Sequence, residues 1–306
     1  MKPLKLALFL FFVIAVANGA FAAAADRSEI FKEIRVTVRG EGRPLIMVPG
    51  LNSAGAVWDE TCAELQIENV QCHIMQLPGF AGLAAMADEN AKAKFLSTVR
   101  DNLLDYIDAK KLQKPMMIGH SLGGELALQI AIKAPNKLAR IIIVDSLPFF
   151  PAATAPTATA TTAKPMADGM KAAMLQGSLE IYQKQLKGNL RGMTLSAKRL
   201  ETLSEWGLSS DRATTTQAMY ELMTIDLRDE LSKITSPTLV LGAWAAYAQY
   251  GSTIEAVRKT YTDQYANLKG VRIEMSKTGY HFLMWDDPQW LATQIKAFIA
   301  PLKTTP

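Results

Sequence analysis

Lys114-Pro-Met-Met-Ile-Gly-His-Ser-Leu-Gly-Gly124 is the stretch on which the fold of this chain turns. The apolar run Met116-Met117-Ile118 enters Gly119-His120-Ser121-Leu122-Gly123, and a helix-compatible run follows from Glu125 to about Ala134. Glycines at both ends let a strand turn sharply into a helix without Cβ clashes, which lifts the serine hydroxyl to the strand's end. The helix N-terminus behind it offers free backbone N–H groups and the positive end of a dipole. A lone five-residue match is weak. The strand before it and the helix after it give it weight.

Outward from that turn, short apolar runs alternate with helical periods. Phe31–Val38, Pro44–Val48, Val70–Leu77, Leu138–Val144, Pro237–Gly242 and Val271–Met275 read as strands. Residues 55–66, 89–110 and 253–268, and the segment from Pro288, read as helices. In 89–110, Phe95, Leu96, Val99, Leu103, Leu104 and Ile107 share one face. Strands that alternate with helices predict an α/β fold, a doubly wound and mostly parallel sheet with helices on both faces. The alternation lapses between Phe149 and Leu231. There a low-complexity Pro/Ala/Thr stretch from Pro151, read as a flexible connector, precedes helix-like segments rich in methionine. The division that follows is core over 26–148, a helical cap insertion over 149–231, and core again over 232–306. Met166, Met170, Met174, Met193, Met219 and Met223 either fill irregular core or line an apolar pocket beneath a cap.

Residues 1–25 have the order of a secretory leader. Basic Lys2 and Lys5 precede the apolar Leu6–Val16, and the small residues Ala20–Ala25 lead into Asp26. The apolar run is shorter than the ~20 residues a membrane span requires, so a periplasmic or secreted protein without stable membrane insertion is expected. Without the leader, 31 basic residues face 29 acidic ones. That balance offers no electrostatic footprint for nucleic acid. Cys62 and Cys72 either bridge in an oxidising compartment or pack as separate buried thiols.

From about Glu33 to Phe298 the chain resembles the α/β-hydrolase superfamily, in the branch of single-domain serine esterases with a helical cap. The resemblance rests on the serine turn and on Pro49-Gly50-Leu51, where the family carries His-Gly-X. It rests also on Trp58 downstream and on Gly279-Tyr-His-Phe282 followed by Asp287-Pro288. It implies Ser121 as nucleophile, with the backbone N–H groups of Leu51 and Leu122 forming the oxyanion hole. Pro49 in place of the histidine alters the loop's support without removing a donor.

A serine hydroxyl needs a base to take its proton. His120 sits inside the turn with its side chain directed away from Ser121, and His73 lies in an early strand where core packing is expected. His281 follows the last strand in a glycine-containing loop and can reach the sheet's edge. The third member departs from the family pattern. After Gly242 the chain reads Ala243-Trp-Ala-Ala-Tyr-Ala-Gln-Tyr250, with no carboxylate. Asp145 closes the preceding strand, on the same sheet edge, and is the expected acid. Its competing role is to cap a turn. Asp226 is the reserve, with a helix N-cap as its alternative role.

No HExxH, Cys/His cluster or phosphate loop occurs, so neither metal nor cofactor is expected. Serine rather than aspartate at the turn favours acyl transfer to water over haloalkane or epoxide chemistry. The expected function is hydrolysis of a carboxylic ester through an acyl-enzyme, with lactone, thioester or amide cleavage as alternatives. Cofactor-free peroxidase chemistry is a further side activity of this fold. A non-catalytic binding protein that has lost the acid is the competing class. The expected partner is a small, apolar acyl substrate, with Trp206, Trp244, Tyr247, Tyr250 and the cap methionines either around it or packed in the core.

Overall fold

The computed structural model describes residues 26–300. The leader reading therefore falls outside the described residues. Eight strands form one sheet: β1 (Arg27–Phe31), β2 (Ile34–Arg39), β3 (Arg43–Val48), β4 (Val70–Gln76), β5 (Met116–His120), β6 (Ile141–Val144), β7 (Thr238–Gly242) and β8 (Arg272–Met275). Their order is β1-β2-β4-β3-β5-β6-β7-β8. β3 to β8 run parallel, while β1–β2 and β2–β4 pair antiparallel. The expected doubly wound, mostly parallel sheet is what forms.

The single strand expected over Phe31–Val38 is instead a hairpin. Lys32 and Glu33 both take positive φ, 43° and 68°, and reverse the chain between β1 and β2. That two-residue geometry matches strand twist but normally selects Asn or Gly, so nothing in Lys-Glu signalled it. The helix expected over 89–110 is also split. α2 (Glu89–Lys92) ends before α3 (Phe95–Ala109), with Lys94 at a non-helical φ of −130°.

The other core helices are α1 (Asp59–Gln66), α4 (Leu122–Lys133), α9 (Ile254–Gln264), the single turn α10 (Leu283–Asp286) and α11 (Pro288–Ile299). Successive strand residues face opposite sides, and the central strands are apolar at every position. Ile46, Val48, Met117, Ile141, Ile143 and Val240 pack with residues of α3, α4 and α9. Leu45, Met47, Ile118, Ile142, Val144 and Leu241 pack with α1 and α11 on the other face. A disulfide joins Cys62 of α1 to Cys72 of β4, ten residues on. Of the two readings of these cysteines, the bridge is the one formed. Closing so short a loop stabilises by about 3 kcal/mol in the chain-entropy account.

Four helices intervene between β6 and β7: α5 (Ala160–Gln176), α6 (Leu179–Asn189), α7 (Ala197–Leu208) and α8 (Arg212–Thr224). α5 packs along α8. Thr159, Ser178, Ser196 and Asp211 each cap one of them through a side-chain oxygen that accepts a backbone N–H. The low-complexity stretch expected to be a flexible connector is largely placed. Phe150–Ala153 forms a 3-10 turn, Thr159 and Thr162 make a reciprocal capping box, and Arg228 donates to the carbonyl of Ala158 at 2.7 Å. Among the described residues no helix is long and apolar enough to cross a membrane.

Candidate active site

Ser121 stands between β5 and α4 with φ 52° and ψ −119°, a region that residues with a Cβ rarely occupy. Such strain costs on the order of 1–3 kcal/mol and persists only where the surroundings dictate it. Here they do. A Cβ on Gly119 would collide with the carbonyl of Gly123, and one on Gly123 with the carbonyl of Val48. The turn closes only because both positions lack side chains. Ser121 N–H donates to Val144 O at 2.9 Å, so the turn is also tied to the neighbouring strand's end.

Asp145 leaves β6 at φ 44°, the left-handed region that Asp tolerates better than most residues. Its N–H donates to Leu241 O at 2.8 Å, which holds the exit of β6 against β7. The carboxylate then has three partners. Oδ1 accepts the N–H of Ala243 at 2.7 Å and the hydroxyl of Tyr261 at 2.6 Å, and Oδ2 lies 2.5 Å from Nδ1 of His281. The blank stretch after Gly242 thus contributes a backbone donor rather than an acid. Tyr261, on α9, is fully buried. Burial, together with the Asp145 charge, raises its phenol well above the ordinary value and keeps it a proton donor.

The loop after β8 carries His281 and is locked from behind. Ser276 Oγ accepts the N–H of Gly279 and donates to Asp287, while Asp286 accepts the N–H of Tyr280. Asp286 also accepts the hydroxyl of Thr194 at 2.6 Å and so joins the loop to the segment between α6 and α7. His120 adds a clamp that sequence reading missed. It is fully buried, and its Nε2–H donates to the carbonyl of His281 at 3.0 Å. Burial, then the neighbouring His281, holds its pKa well below the usual imidazole range, so it serves as a neutral donor.

Ser121, His281, Asp145, Leu51 and Leu122 all border one cavity of about 750 Å³. Leu122 opens α4, and neither its N–H nor that of Leu51 has a backbone acceptor among the described residues. Asn52, beside Leu51, takes φ 57° and accepts the hydroxyl of Thr215 on α8 at 2.6 Å. Among the described residues Ser121 Oγ has no hydrogen bond to His281. Such bonds are commonly long in free enzymes and tighten on substrate. The upper wall comes from the inserted helices, with Met170, Met174, Leu186 and Met219 among its residues. Tyr247 and Tyr250 line the cavity, whereas Trp206 and Trp244 do not. Trp206 packs on Trp285, and the Trp244 indole donates to the carbonyl of Lys277.

Asp226 departs from both roles expected of it, whereas His73 packs as expected. Asp226 accepts from the backbone and guanidinium of Arg228 and caps no helix; it does not border the cavity. His73 is a core histidine, bonded to Tyr106 at 2.8 Å and Gln71 at 3.0 Å. Burial pushes its pKa down to about 4 from the ordinary 6.5. An unfolded chain takes up a proton below pH 6.5 that the folded imidazole refuses until about pH 4. The stability that His73 contributes is therefore complete above pH 6.5 and falls by on the order of 3 kcal/mol as pH drops through that window. Urea melts across the window are expected to show this loss and a shallower one for His73→Gln. Equal slopes would remove His73 as the cause.

The model of the alpha/beta hydrolase family matches residues 45–294. Among curated proteins, the pimeloyl-[acyl-carrier protein] methyl ester esterase of Aliivibrio salmonicida is 27% identical over 216 residues, covering 65% of this chain and 72% of that protein. That of Vibrio campbellii is 34% identical over 113 residues, 37% of this chain, and the chain spans 41% of its length. Among solved structures, an esterase from Exiguobacterium antarcticum superposes with a TM-score of 0.70 at 19% identity, covering 87% of this chain and 94% of that one. A hydrolase from Pseudomonas aeruginosa gives a TM-score of 0.72 at 16% identity, covering 91% and 100%. At such identities these structures speak to the fold. With the family model spanning the sheet from β3 into α11, this chain belongs to the alpha/beta hydrolase family.

Proposed function

We propose that the chain is an exported serine hydrolase that cleaves a carboxylic ester of a small, largely apolar acyl substrate through an acyl-enzyme on Ser121. The observation that carries this reading is the 2.5 Å pairing of His281 Nδ1 with Asp145 Oδ2, on the wall of the cavity that also holds Ser121. With Nδ1–H donated to Asp145, Nε2 is left as the base. Ser121 Oγ attacks the ester carbonyl carbon while its proton passes to Nε2. The oxyanion accepts N–H bonds from Leu51 and Leu122. The C–O bond to the alcohol then breaks, and His281 returns the proton to the leaving oxygen. Water, deprotonated by the same nitrogen, splits the acyl-enzyme and regenerates Ser121. The names of the curated relatives, methyl ester esterases, support an ester over an amide. A non-catalytic binder was favoured only by the missing acid after Gly242, and Asp145 supplies a carboxylate from the neighbouring strand. A fluorophosphonate probe is expected to label Ser121. An unlabelled, folded protein would defeat the reading.

Export rests on the leader-like residues 1–25 and is supported by the Cys62–Cys72 bridge, since disulfides persist in oxidising compartments. Protein recovered from the periplasm is expected to begin near Asp26 and to offer no free thiol to alkylation. A cytoplasmic pool with an intact N-terminus would count against export.

A further inference from the structure

Glu125 takes no part in the chemistry above. It lies in the first turn of α4, and its N–H donates to the carbonyl of Ser121 at 3.2 Å, which places it one helical turn past the nucleophile. Its side chain is 1% exposed and borders the cavity. Gln129 donates to Oε1 at 3.1 Å, while no N–H or O–H of the described residues donates to Oε2. Burial, and beyond it the nearby Glu221, raises this carboxyl well above the ordinary range, and no Lys, Arg or His offsets the shift. Burial with no cation beside it favours the neutral carboxylic acid, whose O–H can donate.

Ser146 sits against the same turn. A Cβ on Gly124 would lie 2.9 Å from its Oγ, and Ser146 is buried on the cavity wall with no hydrogen bond from Oγ among the described residues. Two hydroxyl-type groups therefore face a cavity whose wall is mostly apolar, with other polar side chains such as Gln185, Asn189 and Arg191 also on it. A buried donor without a partner is costly, and a wall serving a plain hydrocarbon chain needs neither.

We propose that Glu125 and Ser146 form a polar subsite that receives a neutral oxygen acceptor on the substrate, a ketone or hydroxyl oxygen, about 5 Å along the chain from the scissile carbonyl. The subsite rests on the ester-hydrolase reading of the same cavity. An ionised group is a poor occupant beside Glu125: no Lys, Arg or His acts on its carboxyl, and a cation requires Glu125 to ionise in a buried wall.

The test uses pairs of p-nitrophenyl esters with acyl chains of equal length, one plain and one with a single oxo group stepped along the chain. The ratio of their kcat/KM values is read within each variant, so that general changes in activity cancel. The wild type is expected to prefer one oxo position by about tenfold, the discrimination one buried hydrogen bond supplies. Glu125→Gln, which keeps a neutral donor, should retain that preference, while Glu125→Leu should lose it. Glu125→Met and Ser146→Ala repeat the test should the leucine variant fail to fold. No preference at any position, or a preference that survives in the apolar variants, overturns the subsite. So does a wild-type preference for an ammonium-bearing ester that Glu125→Gln abolishes. Absence of turnover on every ester overturns the hydrolase reading itself, which is a distinct outcome.

Discussion

Replacement of Ser121 by alanine is expected to lower kcat by about 10⁶-fold and to abolish fluorophosphonate labelling, with little change in melting temperature. The size follows from removing the nucleophile of a unit whose members act together, leaving only binding and the oxyanion donors. The stability expectation follows from the geometry. Although Ser121 occupies the N-cap position of α4, its hydroxyl caps nothing there. Alanine also inherits the same Cβ at the same positive φ, so the backbone strain is unchanged. Activity and fold are thus separable at this position. His281→Ala would be as damaging to turnover but harder to interpret, because it leaves the Asp145 carboxylate, 7% exposed, without its imidazole partner. Steady-state kinetics on a p-nitrophenyl ester and a thermal melt decide the matter. Residual turnover within tenfold of wild type would remove Ser121 from the chemistry.

Most of the sheet was legible from residue types, and Ser121, His281 and Asp145 were all named from the sequence and its family resemblance, for reasons that differ by element. The central strands are buried on both faces, so their apolar runs are unbroken, and the glycines of the elbow are required by contact rather than by taste. The β1–β2 hairpin was not legible, because Lys32 and Glu33 adopt turn geometry that their side chains do not advertise. Trp206 and Trp244 stayed open between two roles because an aromatic residue reads the same whether it lines a cavity or packs beside one. His120 and Tyr261 illustrate a further limit. Each acts by holding another residue, the His281 carbonyl in one case and Asp145 in the other, and such roles exist only in three dimensions. Glu125 was likewise only the start of a helical run until its burial on the cavity wall was visible.

Asp145→Asn is the sharper test of the relay, because the proposed acid stands one strand from where the family usually keeps it. The carboxylate receives two donors on Oδ1, Ala243 N–H and Tyr261 O–H, and the imidazole on Oδ2. An asparagine amide satisfies the first two only by directing its oxygen toward them. Its NH₂ then faces His281 Nδ1 and donates to it, which forces the proton onto Nε2. A histidine protonated at Nε2 cannot accept the Ser121 proton, so kcat at neutral pH is expected to fall by about 10⁴-fold. The fold should survive, because both donors on Oδ1 keep their acceptor. Tyr261→Phe provides the contrast. It removes one donor but leaves the carboxylate, the Ala243 bond and the correct tautomer, so a loss of no more than about tenfold is expected. Kinetics of both variants beside their melting curves separate the alternatives. Near-normal turnover in Asp145→Asn would show that the 2.5 Å pairing holds His281 in place without tuning its tautomer. Equal losses in the two variants would point to support of the loop rather than to charge.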